Sequence, residues 1–242
     1  MEMTALRNRI KDTALALGAG DVGFADLSAL KSKPCTELIQ KYASAVSVVI
    51  PLSKGILEEV ATEPTITYFA HYRAVNRLID HITLSVSLLL ESEGFKSYAI
   101  PASQSVPADD YAGVFPHKTA ATLAGLGTIG KNALFMHETF GPAVRLGTVL
   151  TTMPAEKNNI HPSICGDCTL CRDHCPAMAI EGVNWEPGLE RKSLIDVRAC
   201  SNHMKEAYQH IGRGVVCGLC ITCCPHAHLN LSQGENNETQ RI

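Results

Sequence analysis

Apolar and polar positions alternate along the first 155 residues in two distinct periods. Residues 2–18 place Leu6, Ile10, Leu15 and Leu17 among charged and small residues, the pattern of an amphipathic helix. DVGFADLS (21–28) reads as a short strand, and SAVSVVIPL (44–52), β-branched and ended by a proline, as a buried one. Residues 65–94 predict a long helix closed by Gly94. FKSYAIP (95–101) and VRLGTVLTTM (144–153) predict further strands, and a helix is expected near 117–125, ahead of the glycine-rich turn AGLGTIGKNAL (124–134). PAEKNNIHPS (154–163) has linker composition, and the polar tail SQGENNETQRI is expected to be disordered. The pattern predicts an α+β domain over 1–155, a smaller unit over 156–231 and a tail over 232–242.

Charge and composition narrow the function classes. The chain has 242 residues, 45% of them apolar, enough for a sizeable core. A net charge of −3 offers no basic surplus for a phosphate backbone and argues against a nucleic-acid partner. No apolar run approaches the length of a membrane span. The N-terminal residues carry neither an apolar signal region nor paired arginines, so a cytoplasmic location is expected.

Cysteine placement changes the picture most. Ten cysteines are present, and all but Cys35 follow residue 164. Without an export signal, such clustering points to metal rather than disulfides. CGDCTLCRDHCP (165–176) has the Cys-x2-Cys-x2-Cys-x3-Cys-Pro spacing of a [4Fe–4S] ligand run, in which the fourth cysteine serves a second cluster. Four-cysteine zinc is the competing chemistry. CGLCITCCP (217–225) starts the same way but makes Cys223 and Cys224 adjacent.

Two clusters need eight ligands, and two divisions of the thiols compete. In one, Cys217, Cys220 and Cys223 form a tripod, Cys224 crosses over and Cys200 is spare. In the other, Cys165, Cys168, Cys171 and Cys224 hold one cluster, Cys175, Cys200, Cys217 and Cys220 hold the second, and Cys223 is a buried thiol. The second is preferred. Adjacent Cα atoms lie only ~3.8 Å apart and cannot easily serve two cubanes. Skipping Cys223 also restores the spacing Cys220-x3-Cys224-Pro225.

AGLGTIGKNALFMHETFGPAVRLGTVLTT (124–152), CGDCTLCRDHCPAMAI, IDVRAC (195–200) and CGLCITCCP, in that order, resemble the epoxyqueuosine reductases and their relatives, the reductive dehalogenases. The lone cysteine between the two motifs matches Cys200. The resemblance implies a nitroreductase-like α/β/α domain that holds cobalamin, followed by a double-cluster ferredoxin-like domain. It further implies an iron–sulfur oxidoreductase that takes low-potential electrons from a ferredoxin or flavodoxin. Those electrons would pass through two [4Fe–4S] clusters to the cobalamin and reduce a small molecule. The alternative is an electron-transfer or corrinoid-activating protein that reduces the cofactor of a partner corrinoid protein.

Under the resemblance, Gly125, Gly127, Gly130, Lys131 and Asn132 would lie against the corrin, where glycines allow close backbone approach. The chain departs from the family in having Thr128 where a bulky residue is usual, and it lacks the family's aspartate-bearing D-[ST]-A/G-P segment. Asp110, Tyr111 and His117 stand near the missing motif and are the candidate proton donors. Tyr111 has a phenol to offer, and His117 an ordinary pKa close to neutrality. His71, Tyr72 and Arg73 are candidate pocket residues at the start of the long helix. No helical-repeat extension follows residue 231, which with the acidic charge argues against tRNA as substrate.

Overall fold

The computed structural model describes residues 2–30, 36–103 and 111–229. In chain order the helices and strands are α1 (Glu2–Ala16), β1 (Asp21–Asp26), α2 (Thr36–Lys41), β2 (Ser44–Pro51), α3 (Lys54–Glu58), α4 (Ile66–Ser92) and β3 (Ser97–Ile100). They continue with α5 (His117–Leu123), β4 (Gly127–Ile129), β5 (Phe135–His137), β6 (Val144–Thr151), α6 (Leu170–Asp173), α7 (Val197–Tyr208) and α8 (Leu219–Thr222). The mixed α/β character read from the pattern is present. The tail 232–242, Cys35 and Asp110 lie outside the described residues.

Four strands form a sheet in the order β1-β2-β6-β3, with every neighbouring pair antiparallel. β2 is central and buried on both faces, so its residues sort by the two-residue period of a strand. Val46, Val48 and Ile50 join the core beneath α1 and α4, whereas Ala45 and Val49 face the side covered by α5. The sheet is therefore the middle of three layers. α4 presents Val75, Ile79, Ile82, Val86 and Leu90 at helical spacing. Its N-terminus is capped by Thr65, whose hydroxyl accepts from the Tyr68 amide at 3.0 Å. A Cβ at Gly147 of β6 would lie 2.8 Å from Ile79 and 2.9 Å from Thr83, so the glycine lets α4 settle onto the sheet.

Three regions differ from the sequence pattern. The glycine-rich segment expected as a turn is a hairpin, with β4 paired to β5. Strands of three residues are too short to show a periodic signal. Helix α7 carries Cys200, Met204 and Tyr208 at i, i+4, i+8, and Asp196 caps it by accepting from the Arg198 and Ala199 amides at 2.9 and 3.0 Å. The segment at 154–163, expected as a linker, is anchored to α1, β1 and the turn at Gly125. Arg7 pairs with Glu156 at 3.1 Å, the Asn158 amide donates to the Phe24 carbonyl at 2.8 Å, and His161 bonds the Gly125 carbonyl at 3.1 Å.

Candidate functional site: two thiol groups and a cavity

Short helices bring the cysteines together. α6 and α8 pack against each other, each starting in the middle of a cysteine motif. Cys165, Cys168, Cys171 and Cys224 line a single void, together with Lys131, Asn132, Met136 and His226. Burial pushes the Cys224 thiol up to about 11, and the neighbouring Cys165, Cys171 and Cys168 add to the rise. Cys171 is raised the same way, by burial and then by Cys165 and Cys168.

A second set forms around α7 and α8. Burial raises Cys200 to about 11, followed by the charges of Cys175 and Cys217. Cys220 is raised strongly by burial, with Cys217, Cys200, Cys223 and Cys175 as neighbours. Cys223 stands mainly beside the first set: burial, Cys171, Cys224 and Cys168 push it to about 12. Backbone donors already meet thiols of both sets: the Lys131 amide is 3.5 Å from Cys165 Sγ, and the Ala179 amide 3.4 Å from Cys175 Sγ. Tyr208 hydrogen-bonds Cys217.

The thiol sets fit iron–sulfur chemistry better than single-ion chemistry. Tetrahedral zinc at ~2.3 Å from each ligand would hold sulfurs ~3.8 Å apart. Among the described residues no three histidine, cysteine or carboxylate side chains are arranged to hold a single metal ion. Since burial favours the protonated thiols, metal uptake must displace protons and is easier at higher pH.

Beside the second set opens a cavity of about 390 Å³. Cys200, Cys217 and Cys220 form one side, Leu134, Phe135, Leu146 and Ile221 supply apolar wall, and Tyr68, Tyr72, His117, Lys118 and Arg145 supply polar groups. No carboxylate is among the described lining residues. Arg145 is fixed by two bonds to Asn76 Oδ1 at 3.1 and 2.9 Å, and its guanidinium stacks 4.4 Å over the Tyr72 ring. Lys118 Nζ donates to the Ala133 carbonyl. Burial lowers its pKa to about 8, Arg191 lowers it further and Cys220 opposes. Gly218 lies between two cluster cysteines with φ +80°, and a Cβ there would meet the Tyr68 ring at 2.8 Å.

The residues singled out in the sequence are dispersed. His117 lines the cavity, with Nδ1 2.8 Å from Thr148 Oγ1 and Nε2 3.2 Å from the Pro101 carbonyl. A carbonyl only accepts, so Nε2 carries the proton and Nδ1 accepts from the threonine. Burial lowers His117 to about 4; the Pro101 bond opposes this, Arg145 adds to it, and Asp80 opposes it. The imidazole is therefore neutral at pH 7, with its proton held by a carbonyl, unlike the near-neutral donor expected from its ordinary pKa. Tyr111 is not among the cavity-lining residues. It stands against α7 with φ +53°, bonded to Ser201 and Lys205, which lower its pKa.

None of Gly125, Gly127, Gly130, Lys131 and Asn132 lines the larger cavity. Gly125 abuts Asn158, and Gly127 packs against the Met136 carbonyl within the hairpin. A Cβ at Gly130 would meet Asn132 and Met136. Lys131 Nζ donates to the Cys168 carbonyl and Asn132 Nδ2 to the Cys220 carbonyl, both at 3.0 Å. Of the three helix-start candidates only Tyr72 reaches the cavity. His71 accepts from the Ser53 amide at 3.0 Å, and Arg73 lies 5.6 Å over the Phe69 ring. Lys118, Arg145 and Tyr68 were not singled out. The signals for the first and last were modest: a lysine next to His117, and Tyr68 four residues before Tyr72.

His117 gives a pH prediction. Its folded pKa lies below the ordinary value of 6.5. Its contribution to stability is thus complete above pH 6.5 and is lost as the pH falls towards 4, where the unfolded chain takes the proton first. About 3 kcal/mol should disappear across that window. Urea midpoints measured against pH should show this slope in the wild type and a flatter one in His117→Asn. Equal slopes would assign the titration to another group.

Residues 164–229 match the model of a 4Fe-4S double cluster binding domain. Over 125 residues the chain is 39% identical to an epoxyqueuosine reductase of Gloeobacter violaceus, covering 47% of this chain and 36% of the relative. The corresponding enzyme of Staphylococcus aureus is 31% identical over 132 residues, 54% of this chain and 33% of the relative. The matches thus span about a third of the curated relatives' length. A catabolic reductive dehalogenase shares the fold over 93% of this chain and 32% of its own, with TM-score 0.71 and 18% identity. An epoxyqueuosine reductase solved with a modified tRNA-Tyr stem loop does so with TM-score 0.63 and 17% identity, over 93% of this chain and 66% of its own. Fold, thiol sets and matched domain together define a double-cluster iron–sulfur protein. Over about half of its length the chain is similar in sequence to epoxyqueuosine reductases, and over 93% of it the fold is shared with an epoxyqueuosine reductase and a reductive dehalogenase.

Proposed function

We propose that the chain is an oxidoreductase that carries low-potential electrons through two [4Fe–4S] clusters to a cobalamin at the 390 Å³ cavity, for reduction of a small molecule. One observation carries this reading: three thiols of the second set form a wall of that cavity. Cys165, Cys168, Cys171 and Cys224 are assigned to the first cluster, and Cys175, Cys200, Cys217 and Cys220 to the second. Clusters supply one-electron transfer, and cobalamin supplies a strongly reducing cobalt when bound. Cys168 is the exposed thiol of the set, so a ferredoxin or flavodoxin would deliver electrons on that side.

The cavity residues suit an amide- and phosphate-bearing macrocycle in chemistry: apolar wall, two cations, two tyrosine rings and, among the described residues, no carboxylate. Its volume takes a small substrate or part of a corrinoid. Arg145, Lys118 and Tyr72 would hold the cofactor's polar groups. Lys118, an ammonium at pH 7 with its pKa lowered to about 8, keeps a transferable proton at the wall. His117 orients the wall through Thr148 and Pro101. The glycine-rich hairpin is assigned to holding the cluster loops. The three layers around the sheet support a nitroreductase-like first domain.

The limited volume favours one second reading, a corrinoid-activating protein that reduces a partner's cofactor. The net charge of −3 favours a small substrate over tRNA, the class bound by one structural neighbour. After anaerobic reconstitution and incubation with hydroxocobalamin, gel filtration should leave about one cobalamin per chain, and Arg145→Met should lower retention at least tenfold. Full iron content with no retained cobalamin in the wild type would move the assignment to the activator.

A further inference from the structure

Lys131 is 5% exposed, and its side chain lies in the wall of the void that the first four thiols share. Its ammonium donates to the Cys168 carbonyl at 3.0 Å, while its own backbone amide points at Cys165 Sγ. The ion pairs among the described residues all lie elsewhere, so no carboxylate there neutralises it. A buried cation is costly unless a counter-charge meets it. A cluster ligated by four thiolates is a net anion and would occupy the void beside it.

We propose that Lys131 is the internal counter-ion of the first cluster and sets its reduction potential above the value the thiolates alone would give. Adding an electron makes the cluster more negative, so a fixed positive charge favours the reduced form. Net charge and hydrogen bonds to sulfur are both recognised levers on cluster potential. The side chain thus prepares the exposed end of the electron path to accept an electron from a carrier. This inference rests on the ligand division proposed above.

EPR-monitored redox titration of the anaerobically reconstituted full chain tests it. Lys131→Gln keeps a donor for the Cys168 carbonyl and removes the charge. One cluster signal should shift to lower potential by at least 59 mV, a tenfold change in the reduced-to-oxidised ratio, while the other stays in place. Lys131→Arg should keep the wild-type potential. Unmoved potentials in Lys131→Gln at full iron content would overturn the inference, as would an arginine variant that shifts like the glutamine one. If Lys131→Gln and Lys131→Met both fail to hold the first cluster while Lys131→Arg holds it, the counter-ion role stands. Loss in all three would mean that only shape matters there and would overturn it. Fewer than about eight irons in the wild type would defeat the ligand division instead.

Discussion

Replacing Gly141 with alanine should break the seating of the second cysteine motif against the β5–β6 connection. Gly141 has φ +53°, and a Cβ built there would stand 1.9 Å from the His226 carbonyl oxygen and 2.5 Å from its carbon. His226 follows Cys224-Pro225, so the backbone that would have to retreat carries a ligand of the first thiol set. No side-chain rotation relieves a clash between a Cβ and a main-chain carbonyl. The neighbouring contacts resist movement too: Gly141 exchanges both backbone bonds with His137, whose ring stacks on Phe140 and bonds Asp21 at 3.2 Å. A loss of about 3 kcal/mol or more is expected, together with lower iron retention. Gly166 provides the control, since its φ is +51° and its Cβ would meet nothing within 4 Å. Gly166→Ala should cost only the left-handed backbone term, about 1–2 kcal/mol. Urea unfolding of the reconstituted variants reads the difference, and equal losses would refute the close approach at His226.

Removing Cys200 should cost a whole cluster, whereas removing Cys223 should cost none. Cys200 sits on the inner face of α7 with Met204, beside Cys175 and Cys217 and in the cavity wall. Cys200→Ala leaves the second set with three thiols, and iron should fall from about eight per chain to about four. Cys223 is adjacent to Cys224 and stands by the first set, where Cys224 already completes four thiols. Cys223→Ala should keep about eight irons and the visible absorbance of the wild type. The reverse result would hand the fourth ligand back to the regular-looking tripod of Cys217, Cys220 and Cys223.

This ligand question was legible in the sequence because thiol spacing is itself the chemistry. A residue that must lie three positions from another on a tight turn leaves its mark in the text of the chain. The central sheet was legible for a similar reason: β2 and β6 are β-branched runs whose ends coincide with their pattern. The cavity was not. Its polar groups come from α4, α5 and β6, which meet only in the folded chain, and nothing near Arg145 in sequence marks it as a wall residue. The glycine-rich hairpin was legible as a special backbone but not by what it touches. Lys131 and Asn132 follow a turn that resembles a cofactor loop, yet they bond main-chain carbonyls 37 and 88 residues further on. His117 likewise owes its low pKa to burial and to Arg145, both products of tertiary packing.

Iron and acid-labile sulfide per chain, measured with the EPR spectrum of the dithionite-reduced protein after anaerobic reconstitution, test the central claim most directly. The account predicts about eight irons and eight sulfides, with signals from two reduced clusters. About four irons with a single cluster signal, or stoichiometric zinc with neither, would contradict it.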